Sequence, residues 1–230
     1  MDIAVIGAGN MGQAITRRFV IGGHTVYLAS RNDNNVRKLA PEIASAGPGS
    51  VVATSILDAA ARCPVTVFAL WFNDATRVAV QLSEVLAGKI VVEISNPLNA
   101  TYDDLVTDPT TSAGEEIQRR IPQGQVVKAF NTVFAPVCTE GELNGTQADV
   151  FLASDYEDAR RTVADLVRSC KMRPINAGAL KNARILERWA LLNVEITMRY
   201  NLNFRSGIKV IPLLLPTDRG EESTAEAKTK

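Results

Sequence analysis

Three glycines near the N-terminus have the spacing of a phosphate-binding turn. Gly7, Gly9 and Gly12 form G-x-G-x-x-G in "GAGNMG", directly after the strand pattern "DIAVIG" and at the start of a helix pattern. In this context the first glycine allows a tight turn, the second lets the backbone approach a pyrophosphate, and the third lets the helix pack against the strand. The helix N-terminus adds free N–H groups and a positive dipole end. The stretch therefore predicts a dinucleotide-binding turn.

The residues after the second predicted strand indicate which dinucleotide is bound. An Asp or Glu at this position accepts hydrogen bonds from the adenosine ribose and repels a 2′-phosphate. The strand "HTVYLAS" is instead completed by Ser30, Arg31 and Asn32. Arg31 can donate a forked pair of hydrogen bonds to a phosphate, and its neighbours can donate neutral ones, so we expect NADP. In the alternative interpretation, Asp33 is a displaced ribose acceptor and Arg31 is merely solvated.

Three further stretches should surround the nicotinamide, because ligands of an open α/β sheet lie outside the carboxyl ends of its strands. These stretches are "ALWFND", "ISNPLN" and "KAFNTVF". They offer amides, a hydroxyl, a fixed turn and flat surfaces from Trp71, Phe72, Asn96, Pro97, Phe130, Asn131 and Thr132. It is equally open that the aromatic residues belong to the core and that Asn96 caps a turn.

No acid–base pair accompanies these stretches in the sequence. His24, the only histidine, precedes the second strand at the end opposite the expected cofactor. The chain contains no Tyr-x-x-x-Lys pair and no His, Cys and carboxylate cluster with metal-ligand spacing, so we expect no metal. Lys128 and Lys181 remain as proton donors that no motif supports. The catalytic residue is therefore unassigned, and the chemistry expected is hydride transfer between two aligned rings.

Alternating strand and helix patterns position these residues. From "DIAVIG" to "GQVVKAF" their order predicts an α/β Rossmann fold, a doubly wound parallel sheet with helices on both faces. A later unit from "ADVFLAS" to "MRPINAG" is expected to extend the same sheet. We expect an NADP-binding Rossmann domain over 1–150, a small C-terminal α/β extension with a long helix over 151–215, and a mobile tail over 216–230.

The long helix is predicted from about residue 180 to residue 203. It carries an apolar stripe at spacings of three and four residues, formed by Ile185, Trp189, Leu192, Ile196 and Tyr200. This stripe should be buried, either in the core or in a dimer interface.

Composition excludes several classes of partner. The 230 residues contain 25 Lys plus Arg and 25 Asp plus Glu, so no basic field attracts nucleic acid or an anionic membrane. Apolar runs such as "VTVFALWF" are far shorter than a membrane-spanning helix, and "MDIAVIGAG" begins as a strand rather than a signal peptide. We therefore expect a cytoplasmic protein with reduced, buried thiols at Cys63, Cys138 and Cys170.

Several stretches together resemble one family of small dinucleotide-binding proteins. "IAVIGAGNMGQAI", "ASRN", "GKIVVEISNPLN", "VVKAFNT", "INAGALKNARILE" and "MRYNLNFRSGIKV" look like the NADPH-dependent reductases of the deazaflavin coenzyme F420. The resemblance covers nearly the whole chain, from Asp2 to about Ile211. The cytosolic domain of the STEAP ferric reductases has a similar pattern, including a "KAFN" segment.

The resemblance implies a Rossmann domain, often dimeric, that passes hydride between NADPH and a flavin-like acceptor. By position it implies pyrophosphate contacts from Gly7, Ala8, Gly9, Asn10, Met11 and Gly12, and 2′-phosphate contacts from Ser30, Arg31 and Asn32. It also implies a nicotinamide pocket formed by "ALWF" and "AFNT", which includes Leu70, Trp71, Phe72, Ala129, Phe130 and Asn131. The chain departs from the archaeal F420 reductases at Leu70-Trp71-Phe72 and at "FNT", both on the acceptor side.

Three functions follow as hypotheses. The first is an NADPH-dependent oxidoreductase whose small-molecule hydride acceptor is coenzyme F420 or a flavin. The second is a reductase of a small carbonyl or imine compound that takes its proton from Lys128, a bound water or the substrate. The third is a dinucleotide-binding sensor without turnover, since a fold and a cofactor site do not establish a reaction.

Overall fold

The computed structural model describes residues 1–211, so the predicted tail over 216–230 lies outside the described residues. In chain order the elements are β1 (Asp2–Ile6), α1 (Asn10–Ile21), β2 (Thr25–Ala29), α2 (Asp33–Ala44), β3 (Ser50–Ala53), α3 (Ile56–Arg62), β4 (Val65–Phe68), α4 (Phe72–Leu82), β5 (Ile90–Glu93), α5 (Ala113–Arg120), β6 (Gln125–Lys128), α6 (Ala135–Glu140), β7 (Glu142–Leu143), β8 (Thr146–Gln147), β9 (Asp149–Leu152), α7 (Glu157–Ser169), β10 (Arg173–Asn176) and α8 (Ala183–Arg199). A 3-10 turn over Leu180–Asn182 precedes α8.

Six parallel strands form the central sheet in the order β3-β2-β1-β4-β5-β6. The order reverses between β1 and β4, which is the switch point of a doubly wound fold. All four residues of β4 are buried, as expected of a strand covered on both faces. The predicted Rossmann sheet is therefore confirmed. The carboxyl ends of its strands lie along one edge of the sheet, which we call the carboxyl edge.

The unit from β9 to β10 does not extend this sheet as predicted. β9 and β10 pair with each other in parallel as a separate two-stranded sheet. The backbone of this unit pairs with β6 through an isolated antiparallel bridge between Lys128 and Ala153, so the regular ladder ends there. The strands and helix themselves are confirmed.

The long C-terminal helix is also confirmed, but its apolar stripe is not buried in the core of the chain. The stripe residues are 37–68% exposed, although the ring of Trp189 contacts Phe151 edge-to-face. The opposite face, with Leu186, Ala190 and Val194, packs onto the body. Because α8 is apolar on both sides, the spacing alone selects the wrong face, and the dimer-interface alternative stays open.

Between the strands of the central sheet, α4 ends at Leu82, and α6 and the β7–β8 hairpin lie between β6 and β9. After α8 the chain returns to the segment before α6, where Gly207 forms an antiparallel bridge with Val133. Within residues 1–211 no helix combines the length and apolar character needed to cross a membrane.

Candidate functional site

The glycine turn lies at the switch point, where β1 passes β4 at close range. Gly7 has φ +115°, and a Cβ built on it would lie 2.1 Å from the Ala69 carbonyl oxygen. A Cβ on Gly12 would lie 1.9 Å from the Gly7 carbonyl oxygen. Both glycines are therefore required by the contact of α1 with the strands, as the sequence predicts.

Gly9 differs from the other two glycines because no atom of residues 1–211 lies within 4 Å of the place that its Cβ would occupy. It is the exposed N-cap of α1, and no side chain caps this helix end. Asn10 is exposed beside it, Met11 is half-buried, and the carbonyl of buried Ala8 accepts a hydrogen bond from the Gln13 side chain. The first-turn N–H groups therefore face open space across a bare backbone.

Ser30, Arg31 and Asn32 follow β2 at the same edge. The Ser30 hydroxyl and the Asn32 backbone hydrogen-bond each other, and Asn32 Oδ1 caps α2 by accepting from the Asn35 N–H (3.1 Å). The Arg31 side chain is 79% exposed. Asp33 is exposed in the first turn of α2, where the positive end of the helix dipole stabilises a carboxylate.

Arg31 has one ionic contact, and sequence reasoning did not foresee it. Its Nη2 lies 3.4 Å from Oδ2 of Asp74, in the first turn of α4. The other carboxylate oxygen of Asp74 is paired with Arg77, one helical turn further on. The sequence gives no signal for this contact, because it depends on how α4 faces the end of β2.

Asn96 and Asn131 join the ends of β5 and β6. The Asn96 side-chain amide donates to the Asn131 carbonyl oxygen (2.8 Å), and the Asn131 amide donates to Asn96 Oδ1 (3.0 Å). Phe130, directly before Asn131, is buried with φ +58°, which is strained for a bulky side chain. The strained turn orients Asn131 toward its partner, so the structure brings the two predicted asparagines together.

Buried polar atoms without a hydrogen-bond partner cluster near this pair. They include Ser95 Oγ, Asn131 Oδ1 and Thr132 Oγ1, on residues that are at most 6% exposed. A buried polar atom without a partner costs free energy, so native proteins pair nearly all of them. Each of the three atoms is enclosed by protein, so these oxygens lie behind the asparagine pair and not on the surface of the cleft.

A buried ion cluster lies at the carboxyl ends of β5 and β6, beside the loops that carry Asn96 and Asn131. Lys128 is fully buried, and its Nζ lies 2.5 Å from Glu93 Oε2 and 2.8 Å from Glu187 Oε1. It also donates to the Ser95 carbonyl oxygen, while Glu93 Oε1 accepts the Ser95 N–H (2.6 Å). Burial lowers the pKa of Lys128, but the two carboxylates outweigh this and raise it overall. Lys128 is thus a charged structural residue with no route to a substrate.

Glu187 connects this cluster to the C-terminal helix. Its carboxylate accepts the N–H groups of Ala113 (3.1 Å) and Gly114 (3.4 Å) at the start of α5. Burial raises the pKa of Glu187 despite the neighbouring ammonium. One of the two carboxylates is balanced by Lys128, and the other is held by helix amides.

A cleft of about 350 Å³ opens beside the asparagine pair. It is lined by Trp71, Phe72, Asn73, Asn96, Pro97, Leu98, Asn99, Ala100 and Val106. Trp71, at the start of α4, is 65% exposed, whereas Ala129 and Phe130 lie in the core and Leu70 is half-buried. The predicted flat surfaces are therefore divided: Trp71 and Phe72 line the cleft, and Phe130 packs edge-to-face on Phe19.

The remaining titratable candidates lie away from the cleft. His24 contacts Ser169 (2.8 Å) before β2, and Lys181 is exposed beside α8. Burial and the N-terminal ammonium lower the pKa of His24. Among residues 1–211 no group of His, Cys, Asp and Glu could hold a metal ion. The three cysteines are free and buried, as predicted.

Comparisons with known proteins agree with this architecture. Residues 2–97 match the family model described as NADP oxidoreductase, coenzyme F420-dependent. The chain is 29% identical over 227 residues to the F420-dependent NADP reductase of Methanothermobacter thermautotrophicus, covering 93% of this chain and 96% of that protein. A solved structure of a candidate F420-dependent NADP reductase from Arthrobacter sp. FB24 superposes with a TM-score of 0.76 at 29% identity, covering 92% of this chain and 100% of that one.

A second group of relatives is longer. The chain is 28% identical over 185 residues to metalloreductase STEAP3 of Rattus norvegicus, covering 80% of this chain but 35% of that protein. It therefore spans about a third of the length of the STEAP proteins that it matches. The resemblance stated from the sequence is therefore confirmed: residues 2–97 match the coenzyme F420-dependent NADP oxidoreductase model, and most of the chain is similar to F420-dependent NADP reductases.

Proposed function

We propose that this protein transfers hydride between NADP(H) and a deazaflavin of the coenzyme F420 type, or a flavin, bound in the cleft beside Trp71. The observation that carries the proposal is the arrangement of the carboxyl edge. An open glycine turn and an exposed arginine lie along one edge, next to a cleft with an aromatic wall.

The phosphates of the cofactor are assigned to two segments. The pyrophosphate would contact Gly7, Ala8, Gly9, Asn10, Met11 and Gly12, where the open face of Gly9 leaves room for it. The 2′-phosphate would contact Ser30, Arg31 and Asn32, with Arg31 as the charged donor. The cap formed by Asn32 leaves its side-chain amide as a donor.

The nicotinamide end is assigned to the residues after β4, β5 and β6. These are Leu70, Trp71, Phe72, Asn96, Pro97, Ala129, Phe130 and Asn131. A carboxamide has both donors and acceptors, which suits the half-buried amide side chain of Asn96 in the cleft lining. When bound, NADPH supplies a hydride, and the protein holds the two rings together and excludes water.

The acceptor assignment follows from what surrounds the cleft. The exposed indole of Trp71 in the cleft lining offers a flat apolar surface to a fused ring system. Reduction of a small carbonyl compound calls for a nearby proton donor, but Lys128 is enclosed in ion pairs and Lys181 lies outside the cleft lining. The geometry therefore favours ring-to-ring hydride transfer over the carbonyl or imine alternative.

Assembly, location and domain division belong to the same proposal. The α8 stripe is an exposed apolar face along a helix, and we assign it to a homodimer interface. A neutral composition fits a cytoplasmic protein that acts on a small molecule rather than on nucleic acid. The division into an NADP-binding domain over 1–150 and an extension over 151–215 is retained as part of the proposal.

An absorbance assay tests the reaction. Purified protein is mixed with NADPH and, in parallel, with coenzyme F420, FMN, FAD, a small ketone or a cyclic imine, with NADH as the control donor. Bleaching of the deazaflavin or flavin with NADPH, and not with NADH, is the expected result. Turnover of the ketone or imine alone would replace the acceptor assignment, and tight NADPH binding without any turnover would support the sensor hypothesis.

A further inference from the structure

Two arginines share one carboxylate beside the segment assigned to the 2′-phosphate. Asp74 accepts from Arg31 through Oδ2 (3.4 Å) and from Arg77 through Oδ1, by the shorter of the two contacts. The arginine side chains are 79% and 69% exposed, whereas that of Asp74 is 20% exposed. The Asp74 carboxylate therefore lies between two largely exposed guanidinium groups.

The charge balance of this trio depends on Arg77. With both arginines present the trio carries one net positive charge, and an incoming phosphate is attracted. Without Arg77, the Asp74 carboxylate would pair with Arg31 alone, and the two would carry no net charge. A pair with no net charge attracts an incoming phosphate less than the positive trio does.

We propose that Arg77 is a specificity-determining residue: by neutralising Asp74 it keeps Arg31 available to the 2′-phosphate of NADP(H). The inference rests on the proposed function, because it assumes that Arg31 receives the 2′-phosphate. Arg77 acts on the bound phosphate indirectly, through Asp74. Asp74 in turn opposes NADPH binding unless Arg77 is present.

A double-mutant cycle separates this role from direct phosphate binding. Dissociation constants for NADPH and NADH are measured for the unsubstituted protein, Arg77→Gln, Asp74→Asn and the double variant. Arg77→Gln should weaken NADPH binding roughly threefold to fivefold, the range that an exposed charge pair supports. In the Asp74→Asn background the same change should cost less than about twofold, because no carboxylate remains to be neutralised. NADH binding should change by less than about twofold throughout.

The chain offers a matched control in Asp165 and Arg168. They form the same i,i+3 pair on α7 with an exposed arginine. Arg168→Gln should leave both dissociation constants unchanged.

Each other outcome contradicts a defined part of the reasoning. A loss of the same size in the Asp74→Asn background would show that Arg77 contacts the phosphate itself and would overturn the neutralising role. No loss in Arg77→Gln, in a protein that prefers NADPH, would overturn the inference alone. Equal affinity of the unsubstituted protein for NADPH and NADH would overturn the proposed 2′-phosphate site together with the inference.

Discussion

Substituting Gly9 and Gly12 separately by alanine should divide cofactor binding from folding. Gly9 has φ −75° and ψ −174°, which alanine adopts freely, and its Cβ would meet no atom of the described residues within 4 Å. Alanine is a poorer N-cap than glycine but loses less chain entropy on folding. The two effects should cancel to within about 1 kcal/mol of unfolding free energy.

Gly12→Ala should behave in the opposite way. Its Cβ would lie 1.9 Å from the Gly7 carbonyl oxygen and 3.3 Å from the Ala69 Cβ, so α1 must move away from β1 and β4. Overpacking of this kind costs about 3 kcal/mol, of which alanine's helix propensity recovers about 1. For a chain of this length the remaining ~2 kcal/mol corresponds to a Tm lower by about 4–8 °C.

Thermal unfolding and NADPH titration measure the two effects side by side. Gly9→Ala should keep its Tm and lose at least about tenfold in NADPH affinity, because the methyl group occupies the space assigned to the pyrophosphate. Unchanged NADPH affinity in Gly9→Ala would refute the placement of the pyrophosphate. A Tm as low as that of Gly12→Ala would show that Gly9 has a structural role instead.

Four further results are expected. Arg31→Ala should weaken NADPH binding by at least about 1.5 kcal/mol and NADH binding little in a fluorescence titration, and equal losses would contradict the 2′-phosphate assignment. Lys128→Met leaves two buried carboxylates without a cation and should cost about 3–5 kcal/mol in urea unfolding, whereas a loss under about 1 kcal/mol would contradict the ion cluster. Burial raises the pKa of Asp149, but hydrogen bonds from Arg173 and Lys209 lower it further. Its stabilising contribution should therefore be complete above about pH 4 and be lost as the pH falls through the lower folded-state pKa, so the stability difference from Asp149→Asn should shrink in acid rather than persist. Burial raises the pKa of the Cys63 thiol to about 11 and those of Cys138 and Cys170 to about 12. Iodoacetamide at neutral pH should therefore label the three thiols only after unfolding. Rapid labelling of the native protein would contradict their burial.

The central sheet was predictable because its signals are local. Apolar runs such as "VTVFAL" and the glycine spacing each depend on a few neighbouring residues, and the observed strand order agrees with them. The prediction that the α8 stripe packs in the core failed for the opposite reason. Both faces of that helix are apolar, and the choice between them depends on what the rest of the chain presents.

The same distinction applies to the candidate site. The sequence places Asn96 and Asn131 after neighbouring strands, and the structure shows the hydrogen bonds between them. Asp74 and Arg31 are 43 positions apart along the chain, and Glu187 and Lys128 are 59 positions apart. No local pattern encodes such pairs, so the charge balance at both positions becomes visible only in three dimensions.

Transfer of deuterium from NADPH labelled at both hydrogens on C4 of the nicotinamide tests the central claim most directly. The labelled cofactor is incubated with the protein and coenzyme F420, and the reduced deazaflavin is analysed by mass spectrometry and NMR. The account predicts one deuterium at C5 of the deazaflavin per turnover, because hydride passes directly between the two rings. Reduced deazaflavin that carries solvent hydrogen at C5, or no reduction by NADPH, would contradict it.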